Sequence, residues 1–502
     1  MLEMAEVGRN FTKEQYESEV DQLRTTMLEI QQKLRERKDL AVVVLINGAE
    51  GAGKSETMQA LTAWMDPRGV EVNAFGPDFE GLGRPPFWRY WMHLPAKGKI
   101  GIFFGSWYTH PIVDKGLGRI KKAQFMVELE QINTFERHLS AENVLIIKFW
   151  LQITQKAQTE RLKKIKKDPD RAWQVTKQEE KLSKHYQDFF EVSEMVLSRT
   201  NTAEAPWHVL DSSDHKWRDL AVAKYVASLV DERLKQQPSP RPMPMVIPEK
   251  APKTILDTLD LKKKVTRDHY AQELQALQSE TGRLNNEAMK RGISQIVVFE
   301  GWDAAGKGGA IRRLTKGIDA RNYQVVSIAA PTEEERVKPY LWRFWRKLPF
   351  PGRMLIFDRS WYGRVLVERV EGFCRPEDWQ RAYSEINDFE SQLVDNGDVV
   401  IKYWLHMSAQ EQLRRFKERA TTEYKKYKLT DEDWRNRDKW NAYLLSASDM
   451  FTKTSTLAAP WSLIEAEDKL TGRLQVLAVY RDRLRDALKK SKAKRGQALS
   501  DQ

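Results

Sequence analysis

The sequence predicts an α/β protein built from two tandem copies of one phosphate-loop domain, each with a parallel sheet and a helical lid. Three observations carry this. An apolar strand, a Gly-rich turn ending in lysine, and an amphipathic helix follow one another twice, around Gly48–Lys54 and Gly301–Lys307. An offset of 254 residues, 253 at the loops, aligns landmarks along almost the whole chain. Strand-like runs alternate with helical patterns, which is the signature of βαβ units and a parallel sheet.

In chain order, residues 13–38 read as a helix, because Tyr16, Val20, Leu23, Met27, Ile30 and Leu34 recur at steps of four and three. Ala41 to Ile46 reads as a strand and runs into Gly48 to Ser55, a full G-x-x-x-x-G-K-S match. Met58, Leu61 and Met65 mark the helix behind it. A shift of 254 carries Tyr16, Val20, Leu23 and Ile30 onto Tyr270, Leu274, Leu277 and Leu284. A shift of 253 carries Gly48 and Lys54 onto Gly301 and Lys307. The 254 shift then maps Ser106-Trp107-Tyr108 onto Ser360-Trp361-Tyr362, and Lys148 onto Lys402. It also maps Ala205-Pro206-Trp207 onto Ala459-Pro460-Trp461. The expected domains are 1–237 and 254–502. Between them, 238–253 holds six prolines, an extended spacer of roughly 3.1 Å per residue.

In the second copy, strands are expected near 296–300, 325–329, 354–358, 399–405 and 461–465. The stretch 408–452 reads as helical and basic, with Arg414, Arg415, Lys417, Arg419, Lys425, Lys426 and Lys428, and suits a lid over phosphates. The last residues, KKSKAKRGQALSDQ, are expected to fray.

With 502 residues, 41% of them hydrophobic, the chain suits a multidomain globular protein, and no apolar run approaches a membrane span. The first residues lack the apolar core of a secretory signal, and the single cysteine, Cys374, forbids an intrachain disulfide. A reducing, cytoplasmic setting is expected, with Cys374 incidental. The net charge of +12 suits a polyanionic partner.

The copies part company where charge matters. In the second, the strand MLIFD ends in Asp358, followed by Arg359. A strand-end aspartate beside a phosphate loop is the usual Mg²⁺-holding arrangement, and Asp303 inside the loop offers a second carboxylate. Asp303, Lys307, Asp358 and Arg359 supply the positioning and charge neutralisation that phosphoryl transfer needs. Gly301, Ala305, Gly306 and Gly308 form the phosphate cradle. In the first copy Phe104, Gly105 and Glu50 stand in place of Asp358, Arg359 and Asp303. That copy is expected to be weak or inactive and to serve a structural or polyanion-holding role. The alternative there is a metal held by Glu50 alone.

With Gly301-x-Asp303-x-x-Gly306-Lys307, Asp358-Arg359-Ser360-Trp361-Tyr362 and Glu368-Arg369-Val370 in hand, the chain resembles the polyphosphate kinase 2 family. Its tandem form resembles the two-domain subgroup acting on polyphosphate and AMP. The resemblance covers about 13–235 and 256–490. It implies a three-layer α/β/α core similar to thymidylate kinase. It also implies Mg²⁺-dependent transfer of the terminal phosphoryl of polyphosphate to a nucleotide. Asp303, Asp358 and Glu368 would lie at the metal and acceptor site, and Lys307, Arg359, Arg364, Arg415 and Arg419 would grip phosphates. Gly363 departs from the Asn usual in the family after the motif's tyrosine. Members of the family tend to associate, so a homo-oligomer is compatible. Three other readings compete: transfer to ADP or GDP, an ATP-dependent nucleotide kinase, and a non-enzymatic polyanion or nucleic-acid binder.

Overall fold

Two apolar strand runs, β1 (Ala41–Gly48) and β6 (Gln295–Gly301), each become the central strand of a five-stranded parallel sheet. The computed structural model describes residues 2–76, 83–170, 172–175, 183–236, 245–247, 249–250, 253–424 and 426–500. The six prolines of the expected spacer lie outside these. Contacts divide the chain into two compact units. One comprises Met1–Glu80, Phe87–Pro238 and Pro331–Arg346; the other comprises Gly81–Pro86, Ser239–Ala330 and Lys347–Gln502.

The first sheet adds β2 (Val70–Ala74), β3 (Ile100–Phe104), β4 (Val144–Gln152) and β5 (Trp207–Asp211), in the order 2-3-1-4-5. The second adds β7 (Tyr323–Ser327), β8 (Met354–Asp358), β9 (Val399–His406) and β10 (Trp461–Glu465), in the order 7-8-6-9-10. The two orders are the same, so the sequence repeat is a repeat of topology.

The principal helices of the first unit are α1 (Lys13–Arg37), α2 (Lys54–Ala63), α3 (Lys122–Ala141), α4 (Gln155–Lys167), α5 (Tyr186–Thr200) and α6 (His215–Lys235). Those of the second are α7 (Arg267–Lys290), α8 (Lys307–Thr315), α9 (Pro376–Asp395), α10 (Ala409–Thr421), α11 (Asp431–Asp438), α12 (Trp440–Thr454) and α13 (Lys469–Ser500). Helix α1 starts in a capping box, where Thr12 and Gln15 satisfy each other's backbone N–H. Its stripe of Leu23, Met27, Ile30 and Leu34 packs with Val42, Val44 and Ile46 of β1 and with Leu220 and Val226 of α6. Each such buried aliphatic contributes roughly 1.5–3 kcal/mol.

The helical stretch expected over 408–452 is three helices, α10 to α12, with a 3-10 turn at Lys426–Lys428. The tail expected to fray instead continues α13 to Ser500, in keeping with the helix-forming Lys, Ala, Arg and Gln it contains.

A buried polar cluster occurs once in each unit. Lys402 donates to Glu390 at 2.7 Å, to the Tyr362 hydroxyl at 2.7 Å and to the Thr454 carbonyl at 2.8 Å. Trp361 Nε1 and the Tyr362 hydroxyl also donate to Glu390. Lys148, Glu136, Tyr108, Trp107 and Thr200 repeat the arrangement. Both lysines are fully buried, so these partners are what makes their charge tolerable. The Trp-Tyr part of the S-W-Y motif therefore serves packing, and both copies keep it for that reason.

Candidate active site

Parallel pairing brings the second copy's chemical groups together. Phe299 of β6 stands opposite Asp358 of β8, and Gly301 opposite Leu405 of β9. Asp358 thus reaches the carboxyl edge of the sheet beside the start of the loop, where open α/β sheets bind ligands. Gly301 has φ +134°, and a Cβ there would lie 2.4 Å from the Leu405 carbonyl oxygen, so only glycine fits. Gly306, at φ +107°, opens α8. The Ala305 N–H closes the turn onto the Trp302 carbonyl at 3.1 Å. In front of Gly308, in the first turn of α8, a Cβ would meet nothing within 4 Å. The N-terminus of α8 therefore begins on the Gly-rich turn, the arrangement that favours an anion through the first N–H groups and the helix dipole. Lys307 folds back over the loop, donating to the Gly301 carbonyl at 2.7 Å and the Trp302 carbonyl at 3.1 Å.

Asp303 and Arg359 meet. Arg359 Nη2 donates to Asp303 Oδ1 at 3.0 Å, and Asn436 of α11 donates to Oδ2 at 2.9 Å. Burial works against the Asp303 charge, but Lys307 and Arg359 outweigh it and hold the carboxyl below its ordinary value. Burial likewise opposes the Arg359 charge, and Asp303, Glu432 and Glu300 overcome it, so the guanidinium stays protonated. Arg359 has φ +63° and Ala304 φ +65°, left-handed conformations that cost a residue with a side chain about 1–2 kcal/mol. Among the described residues, the Asp358 carboxylate accepts no hydrogen bond and makes no ion pair; its backbone carbonyl takes the Ile328 N–H.

Other expected residues fall elsewhere. Arg364 and Glu368 pair at 3.0 Å just after β8. Arg415 was expected to grip phosphate, but its guanidinium is 2% exposed and spent on the protein. It donates to the carbonyls of Ala304 at 3.0 Å, Ala305 at 3.1 Å, Ala466 at 2.7 Å and Glu467 at 2.8 Å, and to Glu411 at 2.6 Å. It props the loop from behind. Arg419, one turn on, is half-buried, and its charge acts on Asp433. Lys425 lies outside the described residues. Cys374 is buried, which pushes its thiol up to about 12 and leaves it inert, as its incidental reading requires.

Sequence reasoning missed three features. Glu300 is buried at the end of β6, takes the Ser360 hydroxyl at 2.7 Å, and is pushed upward chiefly by burial. The one acid in the run IVVFE was its signal. Trp302 stacks on Trp440, with ring centroids 3.6 Å apart, and donates to His406 Nδ1 at 3.0 Å. Asn436 is in turn held by the Tyr443 hydroxyl at 3.1 Å. Through these contacts α11 and α12 lie against the loop, and no local pattern reveals such pairings at a distance.

These features define a class: a parallel α/β domain with a Gly-rich loop and lysine between its central strand and the next helix, duplicated in one chain, with Asp358 ending β8 where the first copy has Phe104. Comparison with known proteins is more specific. The family model for polyphosphate kinase 2 matches residues 10–238 and 264–492. A polyphosphate:AMP phosphotransferase of Pseudomonas aeruginosa is 47% identical over 499 residues, covering 98% of this chain and 100% of that protein. Another, from Acinetobacter johnsonii, is 36% identical over 474 residues, covering 91% and 94%. A crystal structure described as a polyphosphate kinase 2 from Pseudomonas aeruginosa PA01 superposes with TM-score 0.88 at 45% identity, covering 98% of this chain and 100% of that one. The chain belongs to the polyphosphate kinase 2 family.

Proposed function

We propose that the chain transfers the terminal phosphoryl group of inorganic polyphosphate to AMP, giving ADP and a polyphosphate one unit shorter, at the second copy's loop. The observation that carries this is the Asp358 carboxylate, unengaged by the protein, beside the Lys307 loop and the Asp303–Arg359 pair. The relatives named above supply the substrates. An oxygen of the AMP phosphate attacks the terminal phosphorus, and the bond from that phosphorus to the next bridging oxygen breaks. The α8 N-terminus and Lys307 hold the phosphates, and Arg359, fixed by Asp303, faces the charge that spreads over the transferred group.

The donor set suits Mg²⁺, which takes one or two carboxylates and fills its shell with phosphate oxygens and water. Asp358 would hold it directly; both oxygens of Asp303 are engaged by Arg359 and Asn436, so Asp303 would act through its grip on Arg359 or by exchanging one bond. When bound, the ion would neutralise phosphate charge. No helix among the described residues is long and apolar enough to cross a membrane, and together with the single cysteine this supports work in the cytoplasm.

The test is a matrix of polyphosphate or ATP against AMP, ADP, GMP and GDP with Mg²⁺. Transfer from polyphosphate to AMP should dominate. Preference for ATP as donor would replace this reading with an ordinary nucleotide kinase, and preference for ADP or GDP would move the acceptor.

A further inference from the structure

The first copy's loop opens into a cavity of about 880 Å³, well inside the roughly 300–1,000 Å³ of small-molecule sites. The cradle is intact there. Gly48, Gly51 and Gly53 keep positive φ, and Lys54 bonds to the Gly48 and Ala49 carbonyls as Lys307 does in the second copy. Of the second copy's two metal carboxylates only one has an acidic counterpart: Phe104 stands where Asp358 stands, while Glu50 stands where Asp303 stands and is paired with Lys54 at 3.3 Å; Asn47 takes the place of Glu300. The walls are aromatic, with Phe75, Phe104, Trp150, Phe189 and Phe190 among the lining residues.

Two buried side chains in this lining each keep a polar atom without a partner. Asn47 is 7% exposed; its oxygen takes the Ser106 hydroxyl, and its Nδ2 has none. Gln158 is 3% exposed; its Nε2 donates to the Glu50 carbonyl, and its Oε1 has none. Buried amides are rarely left half-satisfied without a reason. Both residues belong to the lining of one cavity, beside the Gly-rich loop and the aromatic side chains, with the two unpartnered atoms buried behind its surface.

Charge narrows the occupant. The lining cations are already faced by acids, Lys54 by Glu50 at 3.3 Å and Arg161 by Glu56 at 3.7 Å. A long polyanion would find little net positive charge. A single short anion at the α2 N-terminus, carried by a flat ring that can lie against the aromatic side chains, suits this lining better than a long chain of charges.

We propose that the N-terminal copy is a binding site for a nucleoside monophosphate, taken up without a divalent metal and not turned over. The choice of AMP as the probe rests on the function proposed for the second copy; the site itself does not. The test counts AMP bound per full-length chain in EDTA, by equilibrium dialysis. The parent should bind at this site, and Lys54→Glu and Gln158→Met should each weaken one class of sites by about tenfold or more. Asp358→Asn should leave that class in place, although it should stop turnover. Counts and affinities unchanged by both first-copy substitutions would overturn the proposal. A crystal structure of the unaltered chain with AMP in EDTA decides it without any substitution. Density in the N-terminal cavity supports the site, and an empty cavity refutes it. The turnover assay reads the second copy separately, so failure of one proposal is distinct from failure of the other.

Discussion

Asp358 and Phe104 occupy the same register position, opposite Phe299 in one sheet and Ile46 in the other. The strands around them pair alike, and each loop lysine folds back onto its own carbonyls. What bears on the chemistry is the change of side chains at the sheet's carboxyl edge. The two left-handed positions sharpen the contrast. The first copy places Gly51 and Gly105 there, at φ +73° and +72°. The second places Ala304 and Arg359 at nearly the same angles and bears the strain. A glycine at 359 would be easier on the backbone, so the arginine is there for what its guanidinium does. The second copy carries backbone strain where the first has glycine, and strain of this kind gathers at working sites.

The largest expected effect tests this directly. Asp358→Asn should lower kcat by roughly a hundredfold or more while leaving the melting transition in place, whereas Phe104→Ala should leave kcat unchanged. Steady-state rates with polyphosphate and AMP decide it; an active Asp358→Asn enzyme, or a Phe104→Ala enzyme that is folded but inactive, would break the comparison.

The buried lysine clusters should behave alike in the two copies. Lys402→Met and Lys148→Met each leave a buried carboxylate uncompensated, at a cost of about 3–5 kcal/mol. Chemical denaturation would read it. A large loss in only one copy would show that the clusters are not equivalent.

The loops are propped by different arginines. The Ala305 carbonyl is taken by Arg415, but its counterpart Ala52 is taken at 3.1 Å by Arg218, which stands where the second copy has Gly472. The Arg415 counterpart, Arg161, reaches Glu56 instead. Arg415→Met should therefore cost about 2 kcal/mol and also turnover, while Arg218→Met should cost stability without slowing turnover.

The effect that is smallest near neutral pH is on acid sensitivity. His406 is held at about 4 by burial, and its Nδ1 must stay unprotonated to accept from Trp302. Its value in the folded chain is below its ordinary 6.5, so the unfolded chain binds the extra proton first. Its contribution is complete above about 6.5 and falls by about 1.4 kcal/mol per pH unit down to about 4. The first copy has Gln152 at this position, which does not titrate. His406→Gln should flatten the melting temperature against pH across that window; an unchanged slope would assign the acid sensitivity to other groups.

Much of this was legible in the sequence because it repeats. The strand at 461–465 matched the structure in full, and that at 354–358 did as well, because short, largely apolar runs bounded by turns leave little choice. The Asp358-for-Phe104 exchange was visible as soon as the copies were aligned. The role of Arg415 was not. A basic residue on an amphipathic helix looks the same whether it faces solvent or backbone, and only packing puts it beneath the loop.

The sequence by itself determined the duplication, the parallel α/β class, the two loops and the copy that keeps the strand-end carboxylate. Each of these is local or is fixed by a constant offset. The tertiary structure decided which of these groups are free. It engaged both oxygens of Asp303 and left Asp358 open. It turned Arg415 inward, laid Trp440 on Trp302, and left a cavity with half-satisfied amides over the first loop. Such outcomes depend on which side chains meet across strands and helices far apart in the chain, and meeting at a distance has no period for a sequence to display.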